Sequence, residues 1–325
     1  MSATSISSTL DHIVLLLPHT TLSNLPGWIT DSFTVLDGGR HTNRITENKL
    51  IVFSDGTYIE LIAFVDGVDP EKRAATRWGQ KAEGEVVDWA LTLLERDGEQ
   101  KSQPEQFFPE IQASVNAAQT QFSFADPVGG GRTAPDGTEL RWAISAPRTS
   151  SSQYGVSGGT VHLDEGELPF WCLDRTLRHL RVPHLSPEEV NHACLATGVA
   201  GISVRVDSPE QAIGLSKVYN VILGSGAKPS AADSSSATFR WELQVPALKS
   251  SPQPAHLTIQ STQTDTVGVE TSYPNSRGGP GSARVTIALF ARTKNSRTLS
   301  GDIGNGQILD ISIIPESKQL RIVDV

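Results

Sequence analysis

One carboxylate sits in an apolar, strand-like run, DGTYIELIAF (55–64). Alternate residues of a strand share a face, so Glu60 lines up with Tyr58, Ile62 and Phe64. A charge in such surroundings must be paired, hydrogen-bonded, protonated or bound to a metal, because an unpaired buried charge is costly. Arg40, Lys49 and Arg141 are its candidate partners in a purely structural role. In a chemical role, Glu60 is a metal ligand or a group that moves a proton.

Other residues carry chemistry in their types and spacing. Arg40 and Arg132 each end a Gly-Gly-Arg stretch. Either could grip a substrate carboxylate through two parallel hydrogen bonds, and a solvated arginine beside a glycine turn explains them equally well. His41 follows Arg40 in a loop and could reach a cavity mouth. Trp142, Trp171 and Phe170 would line an apolar pocket or fill the core. GVSGG (155–159) has the spelling of a nucleophile elbow but lacks the strand before and the helix after that this chemistry needs. GGGR (129–132) lacks the spacing and the lysine of a phosphate cradle, so no nucleotide cofactor is expected. Cys172 and Cys194 are too few for a disulfide framework or a thiolate zinc cluster, and read as reduced core residues.

The elements that position these residues are short strands separated by turn signals. LDHIVLLLP (10–18) is an apolar run ended by proline, and NLPGWITDSF (24–33) has room for a short helix. Strands follow at 33–39, 48–53 and 57–65, broken by Gly-Gly and Ser-Asp-Gly. The order strand, helix, three strands then recurs: EVVDWALTL (85–93), with helix as a competing reading, a polar helix over 103–119, and strands in QFSFADPVGG, ELRWAIS and LPFWCLD. GGRHT (38–42) and GGRTA (130–134) set the register between the two passes, while the two Asp-Gly-Thr triplets are ordinary turn chemistry. Beyond a Pro-, His- and Gly-bearing boundary at 182–198, GISVRV (201–206) leads into a helix that starts at Ser208-Pro209-Glu210 and stops at Gly224. Strands at 238–245, 255–262, 284–291 and 308–315 complete the chain, with Gly-, Ser- and Pro-rich loops at 224–237 and 263–283.

A chain of 325 residues, 38% hydrophobic and 19% charged, has an ordinary globular balance, and a net charge of -9 argues against nucleic acid or an anionic membrane surface as partner. The first apolar run is too short to span a membrane and has no basic region before it, so a cytoplasmic protein is expected.

These runs, taken in order, resemble the vicinal oxygen chelate superfamily (glyoxalase, bleomycin resistance and extradiol dioxygenase), and within it the glyoxalase-like domain proteins. LDHIVLL, GGR…ENKL…DGTYIEL, GGGRTAPDGTELRW, LPFWCLDRT and RVPH carry the likeness, which covers about residues 9–206. It implies an α+β fold in which repeated βαβββ units form a cupped mixed sheet with helices outside. The two-unit domain would occupy residues 9–185, and residues 186–325 would hold a further β-rich, βαβββ-like unit. It also implies a divalent metal held by a histidine on a first strand and a glutamate on a last strand, here His12 and Glu60. The corresponding positions of the second unit, near Trp89 and Phe170 to Cys172, offer neither imidazole nor carboxylate. A third ligand would come from His41, His162, His192, Asp88 or a second chain.

The function so implied is a lyase or isomerase acting on a small carbonyl, enol or diol metabolite. The metal would polarise two substrate oxygens, Glu60 would serve as base, and Arg40, Trp142 and Trp171 would contact the substrate. A metal-free binding or sequestering protein of the same fold is the alternative, and an interaction protein with a vestigial pocket is a third reading. The superfamily often builds sites between units, which keeps a homodimer open.

Overall fold

The computed structural model describes residues 6–95, 103–149, 163–224, 237–247, 253–261 and 284–316. The GVSGG stretch and His162 lie outside them. Strand β1 (Ile6–Leu16) ends before Pro18 and leads through two short helices, His19–Ser23 and Gly27–Thr30, to β2 (Leu36–Arg40), β3 (Thr46–Val52) and β4 (Tyr58–Phe64). The order then repeats: β5 (Glu85–Glu95), a helix over Phe108–Ala117, a short β6 (Phe122–Phe124), β7 (Val128–Thr133), β8 (Glu139–Ser145), a short β9 (Pro147–Thr149) and β10 (Phe170–Asp174). Among the described residues β6 and β9 pair only with each other. The segment that could have been helix or strand is strand β5, whose residues after Glu85 are all buried.

The other strands form one eight-stranded sheet in the order β2-β3-β4-β1-β5-β10-β8-β7. Each unit contributes four neighbouring strands, and the units join through antiparallel β1 and β5. β2 and β7 bear the two Gly-Gly-Arg stretches and are the two edges, and the sheet curls until they meet. His41 and Arg132 form a bridge, Thr42 N–H donates to Gly131 O at 3.0 Å, and Arg132 Nη1 donates to Gly38 O. Gly39 permits the approach: its φ is +120°, and a Cβ there would stand 2.9 Å from Thr133 O. The sheet is therefore nearly closed, with an inside and an outside.

Period-two alternation sorts side chains between the two faces. From β4, Ile59, Leu61 and Ala63 face outward into the main core, while Tyr58, Glu60, Ile62 and Phe64 face inward. The outer face is covered partly by helices and partly by a second sheet built from β11 (Ala196–Val206), β12 (Thr238–Leu243), β13 (Ala255–Ser261), β14 (Arg284–Ala291), β15 (Arg297–Asp302) and β16 (Ile308–Pro315). Its order is β12-β13-β11-β14-β16-β15. A single unit was expected in this region. The pairing instead repeats the plan of the first sheet: a central antiparallel pair, β11 with β14, flanked by the parallel partners β13 and β16. The helix Pro209–Ile222 follows β11 and starts as expected, the Ser208 side chain accepting from Gln211 N–H at 3.2 Å.

Asp55 straps the two sheets together. In the turn before β4 its Oδ1 accepts from the Thr57 N–H and hydroxyl, while Oδ2 accepts from Val199 N–H of β11 at 2.9 Å. Burial pushes its carboxyl up to about 6.

Candidate functional site

Inside the curled sheet, polar groups collect where β1, β3 and β4 run side by side. A register shift between Leu10 and His12 marks a bulge at Asp11, and His12 then lies beside Tyr58 of β4. The His12 ring stacks on Tyr58 with centroids 4.7 Å apart and meets the edge of Phe170 at 5.3 Å. Its Nδ1 is 2.7 Å from Asp11 Oδ1, and its Nε2 is 3.6 Å from Glu60 Oε2.

Asp11 is fully buried, and the guanidiniums of Arg178 and Arg181 hold its carboxyl well below the usual range against the opposing effect of burial. An ionised carboxylate only accepts, so His12 Nδ1 carries a proton, and Nε2 faces Glu60. The two arginines lie on the short helix Arg178–Arg181 that follows β10, and they also clamp Asp174. Arg181 Nε and Nη2 reach the two Asp174 oxygens at 2.6 and 2.8 Å. Arg181 also donates to the Tyr58 hydroxyl, and Arg178 donates to Gly56 O at 2.9 Å. Two aspartates and two arginines, all buried, thus fix Asp11, Tyr58 and through them His12.

Glu60 accepts from Asn48 Nδ2 at 2.6 Å, and a second imidazole approaches its Oε1, His41 Nε2 at 3.8 Å. His41 Nδ1 shares a hydrogen bond with Thr46 Oγ1 at 2.7 Å, and its ring meets Trp142 edge to face at 5.8 Å. Burial lowers the His41 pKa, so this imidazole is neutral. His12 and Glu60 are 3% and 6% exposed, so both are shielded from bulk water.

The structure sorts the residues singled out from sequence. His12, Glu60, His41 and Trp142 come together on the inner face. Arg40 does not join them: its side chain is 50% exposed and lies 3.7 Å from Glu47. Trp171 does not either, because alternation on β10 turns it outward, where it is fully buried against Phe108 and Phe124. Among the proposed third ligands, His192 has both nitrogens on backbone, accepting from Thr34 N–H and facing Val52 O. Asp88 is taken by Arg77 and Trp78. The charged partners suggested for Glu60 are engaged elsewhere or exposed: Lys49 holds Asp37, Arg40 lies near Glu47, and Arg141 faces outward. Sequence reasoning passed over Asn48 and the Asp11–Asp174–Arg178–Arg181 cluster. The run Asp174, Arg178, Arg181 was the available signal, since an acid is followed closely by two bases spaced to share one helical face.

Two donor sets compete for a cation. Asp11, His12 and Cys172 bring ligand-type atoms within 4.8 Å of one another. Asp11 is already bound by two guanidiniums, however, and burial pushes the Cys172 thiol well above its usual range, which keeps it protonated. That set does not fit a metal ion. The set around Glu60 is the alternative. Its separations of 3.6 and 3.8 Å are too long for direct hydrogen bonds and run to different oxygens of Glu60, and one ligand atom from each of the three groups does not fall within 4.8 Å of the others, so sharing one ion would require them to close in. Two imidazoles and one carboxylate make a donor set for borderline divalent metals. Asn48 Oδ1 is in addition a buried oxygen without a hydrogen-bond partner in the structure.

A surface groove of about 290 Å³ lies elsewhere, lined by His19, Phe64, Asp66, Arg73 and Glu83 among others. His19 there is held on both sides, by Glu47 at 2.8 Å and Asp66 at 3.0 Å, and has no free nitrogen for catalysis.

Residues 10–218 match the family described as glyoxalase-like domain. The chain belongs to that family. The match takes in the first sheet from Leu10 of β1 onward, β11 and most of the helix after it, so this glyoxalase-like protein carries the vicinal oxygen chelate architecture implied by its sequence runs. Among solved structures it is similar to a hypothetical protein from Staphylococcus aureus, at 12% identity and TM-score 0.57, covering 96% of this chain and 100% of the other. That likeness concerns the fold alone. Lower-scoring likenesses include a 2,2',3-trihydroxybiphenyl 1,2-dioxygenase from Sphingomonas wittichii (8% identity, TM-score 0.43, 94% and 90% covered) and glyoxalase I from Zea mays (10%, 0.29, 96% and 93%). No curated protein matches the chain. Among the described residues no helix is long and apolar enough to cross a membrane.

Proposed function

We propose that this glyoxalase-like protein is an enzyme of the lyase or isomerase type acting on a small carbonyl, enol or diol compound, with a divalent metal held by His12, His41 and Glu60. The observation that carries the reading is the convergence of two imidazole Nε2 atoms on one buried carboxylate, at 3.6 and 3.8 Å. A divalent ion bound there would act as a Lewis acid on two neighbouring substrate oxygens.

The protein's own groups have distinct tasks in this reading. Asp11 holds the proton of His12 at Nδ1, which fixes the tautomer and points Nε2 inward. Asn48 holds Glu60 through Oε1, which orients Oε2 as the atom that would take a proton from carbon. Tyr58 and Phe170 wall the His12 ring and keep water off it, and Trp142 offers an apolar wall beside His41 for the substrate. Arg40 and Trp171 have no part in this assignment.

Metal content decides the matter. Protein purified without chelators is expected to hold close to one divalent metal per chain by elemental analysis, and His12→Ala and Glu60→Gln to lose it while remaining folded. Loss of the α-proton of small hydroxycarbonyl compounds in D2O, followed by proton NMR, reads the chemistry. Folded variants that keep the full metal content would overturn the assignment.

A second reading, a metal-free binding or sequestering protein, is favoured by one observation. Asn48 and Asp11 already satisfy Glu60 and His12 without an ion. It predicts wild-type protein without metal whose melting temperature still rises with a small-molecule ligand.

A further inference from the structure

The two Gly-Gly-Arg stretches end in arginines of opposite fate. Arg40 on β2 is half exposed and lies near Glu47. Arg132 on β7 is 4% exposed. Its direction follows from register. Arg132 stands opposite Leu140 on β8 and bridges His41 on the other side, and directly opposed residues share a face. Leu140 and Trp142 pack in the inner cluster and His41 faces Glu60, so the Arg132 guanidinium is inside the curled sheet, on the rung next to the proposed catalytic groups.

Its charge is poorly matched there. The other two buried arginines, Arg178 and Arg181, face two carboxylates between them. Among the described residues Arg132 has no carboxylate within ion-pair reach, and one hydrogen bond, from Nη1 to Gly38 O. A buried guanidinium stays charged, and it stays costly until an anion or enough acceptors meet its N–H groups. Burial lowers the Arg132 pKa by more than the opposing pull of Tyr58 and Glu60 raises it. A planar cation with most of its N–H groups uncommitted, in an interior lined by Leu140, Trp142 and Phe170, matches a planar anion that accepts two parallel hydrogen bonds.

We propose that Arg132 is the anion-recognition residue of this interior and that the substrate is an oxygenated carboxylic acid. Its carboxylate pairs with Arg132, and its carbonyl or hydroxyl oxygens turn toward His12, His41 and Glu60. The inference rests on the reading of the sheet interior as a small-molecule site, and it narrows the substrate to acids.

The test is binding of pyruvate and acetate against their neutral counterparts methyl pyruvate and acetone, with inorganic phosphate as a tetrahedral anion and sodium chloride matching ionic strength. Titration calorimetry and melting temperature are read on wild type, Arg132→Gln, Arg132→Lys and Arg40→Gln, each first stripped with chelator and then loaded with manganese. Wild type should bind the two carboxylates saturably and the neutral compounds at least about tenfold more weakly. Arg132→Gln should lose that preference, Arg132→Lys should keep part of it together with the donor to Gly38, and Arg40→Gln should match wild type. Circular dichroism establishes that each variant is folded; Arg132→Lys carries the test if Arg132→Gln is not. Equal binding of pyruvate and its ester, unchanged affinity in a folded Arg132 variant, or binding of phosphate alone overturns the proposal. The stripped arm separates the two readings. Wild type that takes pyruvate through Arg132 but never holds metal refutes the metal site and keeps this assignment; metal bound with no preference for acids does the reverse.

Discussion

Replacing Asp174 by alanine removes one of two carboxylates facing two arginines that are almost wholly enclosed. Arg181 spans both Asp174 oxygens at 2.6 and 2.8 Å, and Arg178 reaches one of them at 3.3 Å. Asp174 is 0% exposed and the arginines are 4% exposed, so water cannot take over the lost partner. Removing one member of a buried ion pair costs about 3–5 kcal/mol, against about 1 kcal/mol or less for an exposed pair. At about 2.1 cal/mol/K per residue, 325 residues unfolding as one unit carry an entropy of about 0.7 kcal/mol/K. The expected fall in melting temperature is therefore about 4–7 °C. Urea unfolding followed by tryptophan fluorescence gives the free energy directly. The double variant Asp174→Ala/Arg178→Met should cost less than the sum of its two single changes, because neither partner is left alone. A single-variant cost below about 1 kcal/mol, with additive double behaviour, would mean that the cluster is hydrated and that it does not hold His12 in place.

Two further outcomes follow from buried groups. Burial pushes the Glu167 carboxyl up to about 8. Because its folded pKa lies above its unfolded value, its stabilising contribution is complete below about pH 4.5 and is lost as pH rises toward about 8. Urea midpoints of wild type should fall across that window, and Glu167→Gln should flatten the slope; parallel profiles would show that Glu167 does not titrate there. At the inner site, a Cβ on Gly38 would lie 1.9 Å from Asn48 Oδ1 and 2.8 Å from Asn48 O, and the backbone atom cannot swing away. Gly38→Ala should therefore displace the amide that holds Glu60, at about 1–3 kcal/mol, and reduce metal content as Asn48→Ala does. Full metal content in Gly38→Ala would remove Asn48 from the positioning of Glu60.

The alternation of Tyr58 to Phe64 was legible because period-two patterning is local: the carboxylate could be put on the same face as Tyr58, Ile62 and Phe64 before any coordinates. The Gly-Gly-Arg repeat likewise gave the register of the two units, since β2 and β7 occupy matching places. What stayed hidden depends on closure. Asn48 carries no charge and no motif, and only the pairing of Leu50 with Glu60 brings it near. Arg40 and Arg132 are indistinguishable as text. The turn of each edge strand buries one and leaves the other in water. Trp171 misled for the same reason as the alternation succeeded. In a run buried on both faces, hydrophobicity does not report which face is inner, and one position decides between pocket and core.

Closure also explains why a duplicated fold need not carry a duplicated site. The first unit supplies His12, His41, Asn48 and Glu60. The second places Ala90 across the seam from His12 and fills its share of the interior with Phe170, Cys172 and Trp142. In a flat sheet the edges β2 and β7 would stand about 34 Å apart, seven spacings of about 4.8 Å, and Arg132 could never approach Glu60. Curling turns the farthest strands into neighbours, so the cation reaches the site across the closed seam rather than across the central pair. In the proposed reading the reactive groups come from one unit and the anion anchor from the other. Any change that opens the β2–β7 seam should then abolish recognition of acids before it disturbs the His12–Glu60 pair, which lies on the adjacent, fully hydrogen-bonded strands β1 and β4.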